Sequence, residues 1–234
     1  MNKILITFFT IIFCLTSSIG WSLEYKDLVY RDGLFYKKFT EVPFTGKITG
    51  QAKGSLKNGK RDGSWLSYYQ IGQLESKVDW YDGKKDGDWS TYYKTGQLNS
   101  TGNYKNGKED GSWFKYYKNG KLSTKGDYNN GKKEGSWVRY YDKGQLSSKG
   151  DYKNGKKDGS WIDYYYNGQL NFKGDFKNGN RDGSWIRYHD DGQLFYKGNS
   201  KNGKREGSWV AYYGDGTVIN SDTGTFKDGK KISD

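Results

Sequence analysis

Trp65, Trp89, Trp113, Trp137, Trp161, Trp185 and Trp209 recur every 24 residues without a slip. A fixed step of that length marks a stacked array of supersecondary units, none of which can bury its apolar face alone. Other columns keep the same step. Gly59 and its equivalents to Gly203 stand six residues before each Trp, and Gly63 to Gly207 stand two before. Tyr68, Tyr92, Tyr116, Tyr140, Tyr164, Tyr188 and Tyr212 follow three after.

Within one period the pattern alternates with a step of two, as in Ser160 to Tyr166 and Gln169 to Phe176. Leu170, Phe172, Gly174 and Phe176 share one face while Asn171, Lys173 and Asp175 share the other, the mark of a half-buried strand. Asn167-Gly168 between the two segments predicts a two-residue hairpin turn. That turn sets Tyr165 opposite Leu170 and Trp161 opposite Gly174, so that a Trp ring lies across a residue with no Cβ. The same arithmetic pairs Trp137 with Gly150, Trp185 with Gly198 and Trp89 with Gly102. It leaves Trp65 facing Val78, which makes the first full unit imperfect. The expected fold is all-β, a single elongated antiparallel sheet of stacked hairpins. Residues 23–58 form a divergent first unit that caps the array, residues 59–226 hold seven repeats, and residues 227–234 close it.

Composition agrees with a packed chain of unusual content. Apolar residues make up only 32% and the formal net charge is +12, which by themselves would suit disorder, yet 18% of residues are aromatic. Rings must do the packing. At the N-terminus, Met1-Asn2-Lys3 precede an apolar run from Ile4 to Leu15 and then small polar residues, the order of a secretory signal peptide over residues 1–22. The run is shorter than the roughly 20 residues that span a bilayer. Cleavage of this signal would leave a secreted, periplasmic or cell-surface chain. It would also remove Cys14, the only cysteine, and with it disulfides and thiol chemistry.

The segment Gly150-Asp151-Tyr152-Lys153-Asn154-Gly155-Lys156-Lys157-Asp158-Gly159-Ser160-Trp161 resembles a MORN repeat, specifically the bacterial variant found in antitoxin-like proteins, and Pro43-Phe44-Thr45-Gly46 is similar to a feature of that variant. The resemblance runs over residues 30 to 231. It implies a hairpin solenoid used for binding, membrane proximity or scaffolding, and an immunity or antitoxin-like role against a secreted effector as the alternative. Such repeats also accompany phosphoinositide kinases, but no phosphate-cradling loop or kinase catalytic loop stands in this sequence.

No catalytic constellation, metal set or cofactor motif emerges. His189, the only histidine, takes a place filled elsewhere by Tyr69, Tyr93, Tyr117, Tyr141, Tyr165 and Tyr213, a ring in place of a ring. The acidic column Asp62, Asp86, Asp110, Glu134, Asp158, Asp182, Glu206 has one carboxylate per repeat, about 9–10 Å apart and too far to share one calcium ion, so a turn-forming role is expected. The segments between the two glycine columns carry most of the net positive charge. Stacked in register, they predict a basic edge of Lys60, Arg61, Lys84, Lys85, Lys132, Lys133, Lys156, Lys157, Arg181, Lys204 and Arg205 that favours an anionic surface or polymer. Export disfavours nucleic acid and points to phospholipid head groups or a cell-wall polymer, with peripheral membrane contact, or to a protein partner. The Tyr68 to Tyr212 column, on the face opposite the Trp residues, is a second candidate surface. Oligomeric state is not encoded in any of these features.

Overall fold

A computed structural model of the protein describes residues 22–234. The expected export signal, apart from Ser22, lies outside the described residues. From Gly46 to Ser233 the chain is an antiparallel meander in which each strand pairs with the next in sequence. The short strand Ser22–Glu24 runs parallel to Gly46–Thr49 at one end, completing an 18-stranded sheet. A separate hairpin, Leu28–Arg31 with Leu34–Lys37, turns at Asp32-Gly33. No α-helix occurs among the described residues.

The two ends of each hairpin are built differently. Strands Leu146–Lys153 and Lys156–Tyr164 are joined by Asn154 and Gly155 alone, both with positive φ (52° and 81°). A tight turn of this kind needs two left-handed residues, which Asn-Gly supplies at little steric cost. The segments between the two glycine columns therefore begin at tight turns, and Lys156 to Asp158, expected in a turn, already belong to a strand.

At the opposite end the expectation of a two-residue turn fails. Tyr165 N–H donates to the Gln169 carbonyl (2.8 Å) and Gly168 N–H to the Tyr165 carbonyl (2.9 Å), so the loop has three residues, of which only Gly168 has positive φ. Leu170 consequently faces Tyr164 rather than Tyr165. A bulge at Asn171 absorbs the extra residue, and beyond it Trp161 faces Gly174 as expected.

A second bulge decides where the indole goes. Between the pairs Lys149 with Ile162 and Asp151 with Asp158, Gly159, Ser160 and Trp161 stand against Gly150 alone. The ring of Trp161 leans back over Gly150, where any Cβ would overlap it, and its Nε1–H donates to the Asp151 carbonyl (3.0 Å). Gly174, its partner by register, is covered by Trp185 instead. Trp65, Trp137, Trp185 and Trp209 repeat the arrangement, each donating to a carbonyl ten residues earlier.

This geometry moves the imperfect unit. Trp65 has Gly54 beneath it and packs normally, whereas Trp89 meets Val78 in the place of that glycine. Trp89 is only half-buried and lies against Trp113 (centroids 5.0 Å apart, 34° between planes). The buried Nε1 of Trp113 is left without an acceptor.

One sheet can bury these rings because they cover each other. Trp113, Tyr128, Trp137, Tyr152, Trp161, Phe176 and Trp185 follow one another edge to face at 5.1–6.2 Å. Such pairs contribute about 0.5–1.5 kcal/mol each beyond the area they bury. The ends change chemistry. Leu28, Ile48, Leu56 and Trp65, flanked by Leu23, Phe35 and Phe44, form an aliphatic cap at one end, and Phe226 closes on Trp209 at the other.

Candidate binding surface

Strand alternation divides the expected basic edge into two columns. Lys84, Lys132, Lys156 and Lys204 are exposed beside the tight turns, and the stems of the last three lie against the turn of the next repeat: a methyl at Gly179 would meet Lys156 Cβ at 3.6 Å. Lys60 occupies the same position but is paired with Asp82 (2.8 Å). The neighbouring column turns to the Trp face. Lys133 Nζ sits 4.1 Å from the Trp137 centroid, Lys157 Nζ 3.9 Å from Trp161, and the guanidinium of Arg181 4.1 Å from Trp185. Arg205 lies 5.0 Å from both Trp209 and Phe226, Arg61 5.0 Å from Trp65 and 4.7 Å from Trp80, and Lys85 4.6 Å from Tyr104. Cations over ring faces gain from the ring quadrupole while their stems cover apolar surface.

Partial burial, followed by repulsion from neighbouring cations, holds the Lys133 ammonium below its usual pKa. For Lys157 burial lowers it first, Asp163 works in the opposite sense, and Arg139 and Arg181 add to the lowering. Asp163 is raised by burial, against Asn171, Lys157, Arg139 and Arg187, which stabilise its anion.

The residue two positions after each Trp adds a row that the sequence reading missed. Register places Lys115, Thr124, Arg139, Ser148, Asp163, Phe172 and Arg187 opposite one another in one line across the strands. The signal was present, since Lys115, Arg139 and Arg187 share the Trp parity in their strands, but the turn segments drew attention first. Asn171, displaced by its bulge, donates to Asp163 (3.0 Å) and accepts from Arg187 Nε (3.2 Å).

The other candidates turn out to bind repeat to repeat. The acidic column lies in strands, and from Asp86 on each side chain accepts the first amide of the next tight turn, as Glu134 does from Asn154 N–H (2.8 Å) and Asp158 from Asn178 N–H (3.1 Å). No cluster that could hold a metal ion occurs among the described residues. Tyr68, Tyr92, Tyr116, Tyr140, Tyr164, Tyr188 and Tyr212 are half-buried, and the carbonyls of those from Tyr92 on accept from the next aromatic column, as in Tyr141 Oη to Tyr164 O (2.7 Å). His189 makes the same bond, with Nε2 3.1 Å from the Tyr212 carbonyl. His189→Tyr should therefore leave the urea midpoint within about 0.5 kcal/mol of the parent, while His189→Leu strands that carbonyl and costs about 1 kcal/mol.

The family model described as the MORN repeat variant matches five consecutive segments, residues 85–106, 109–130, 133–154, 157–178 and 181–202. The chain belongs to the MORN repeat variant family. Its repeats in this family are non-enzymatic modules for binding and scaffolding. No curated protein matches the chain. Among solved structures, one titled "Crystal structure of GtfA/B complex bound to UDP and GlcNAc" is similar over 65% of this chain and 26% of its own, at 12% identity and a TM-score of 0.20. The MORN repeat chain thus spans about a quarter of that protein, a likeness too slight to carry a functional argument.

Proposed function

We propose that the protein is an exported MORN repeat module that presents a long, regular, cation-rich surface to an anionic component of the cell envelope. The observation that supports this reading most is the stacking in register, which turns one or two cations per repeat into rows along the sheet. Multivalent contact of that kind binds well although each unit contributes little, and it weakens steeply as salt rises. Export is the companion claim. The mature chain recovered from its host should begin near Trp21 or Leu23 by intact mass, and a membrane-retained chain keeping Met1 would replace export with anchoring.

The binding claim is tested by cosedimentation with phosphatidylglycerol vesicles and with insoluble anionic cell-wall preparations at about 50 mM salt, where screening is weak. Retention on at least one of them, lost at high salt, is the expected outcome. A protein that ignores both has its cations for solubility only.

A further inference from the structure

Four repeats, those of Trp113, Trp137, Trp161 and Trp185, share a feature that the exposed turn lysines lack. On the Trp face, the line holding Lys115, Arg139 and Arg187 runs parallel to the ring-capped cations Lys133, Lys157 and Arg181, with buried indoles between them. Among the described residues, no carboxylate forms an ion pair within 4.0 Å with any of these six side chains. Lys115, Arg139 and Arg181 are exposed. One acid, Asp163, interrupts the line, and it is bonded to Asn171 rather than to a cation.

We propose that this double track on the Trp face is the ligand site, and that its occupant is a linear anionic glycopolymer lying along the long axis of the sheet with its acidic groups between the two cation rows. The inference rests on the envelope-binding function proposed above and names where and what it binds. A linear polymer fits because the ring-capped cations Lys133, Lys157 and Arg181 recur every second strand, about 9–10 Å apart, as Lys115 and Arg139 do in the other row, so the charge pattern has the periodicity of a chain rather than of a single pocket. The Trp rings are 3–7% exposed from Trp113 to Trp209, so this column offers neither a platform for stacked nucleobases nor an indole free to enter a bilayer. Lys133, whose ammonium is held down first by burial and then by repulsion from Arg139, Lys115 and Lys157, is relieved of that repulsion when acidic groups settle between the rows. Asp163 opposes the ligand at the middle of the track.

The test uses the full mature chain with polygalacturonate as the carboxylate polymer, a wall teichoic acid as the phosphodiester polymer, and phosphatidylglycerol vesicles. Arg139→Gln and Arg187→Gln should each weaken binding to a polymer several-fold. Lys132→Gln and Lys156→Gln beside the turns should change it little. Asp163→Asn should strengthen it, a gain that a folding defect cannot imitate, and unchanged melting curves of the Gln variants complete the control. Preference for one polymer over the other identifies the acidic group. Loss of binding in the turn variants but not in the track variants, or binding to vesicles alone, overturns the track while leaving envelope binding standing. Absence of binding to all three probes removes both proposals.

Discussion

Gly150→Val is expected to lower stability by about 2–3 kcal/mol, because the added side chain must displace the Trp161 indole from the backbone it covers. Gly168→Asn, in the three-residue turn, should cost well under that, since nothing lies within 4 Å of its Cβ position and Asn tolerates positive φ. Urea denaturation followed by tryptophan fluorescence separates the two. The decisive comparison is between rescuers. Gly150 faces Trp137 in the strand pairing but is covered by Trp161. Trp161→Ala should therefore relieve much of the strain of Gly150→Val, and Trp137→Ala should add to the damage. The reverse result would show that the rings lean toward their register partners and not back across the bulge.

Trp185→Ala should be the most damaging single truncation, about 3–5 kcal/mol. Its ring is 3% exposed, stacks on Phe172 at 5.3 Å and meets Phe176 edge to face at 5.1 Å. Its Nε1–H also leaves the Asp175 carbonyl unpaired when removed. Trp89→Ala should cost clearly less, since Val78 has already lifted that ring off the backbone and left it half-buried. In a chain of stacked repeats the damage is expected first as local opening around the substituted unit. Equal midpoints for the two variants would mean that the glycine beneath the ring contributes nothing to its burial.

The large architecture was legible in the sequence because it depends on local chemistry repeated many times. A step of 24, two-residue alternation and turn residues suffice for stacked hairpins, and parity alone assigns Trp161 and Gly174 to one face. Where the same columns break down, before residue 59, the structure has a short parallel strand and a separate hairpin. Two features were not legible. Bulges at Asn171 and at Gly159 shift the pairing by whole residues in ways that alternation cannot register, so the turn type at Asn167-Gly168 and the direction of every indole had to come from the folded backbone. The cation columns were hidden by a different cause, the strand character of segments whose flanking glycines suggest turns. Lys156 and Lys157 are neighbours in sequence and look like one basic cluster, but a strand sends adjacent side chains to opposite faces, placing one in solvent and the other over Trp161. Lys115, Arg139 and Arg187 are 24 and 48 residues apart and form a line only because the sheet brings alternate strands into register. The sequence by itself determined which residues recur and on which face of a strand each one falls. Tertiary structure alone decided which of those residues meet, because contact depends on where the bulges reset the pairing and on which neighbouring strand each ring covers.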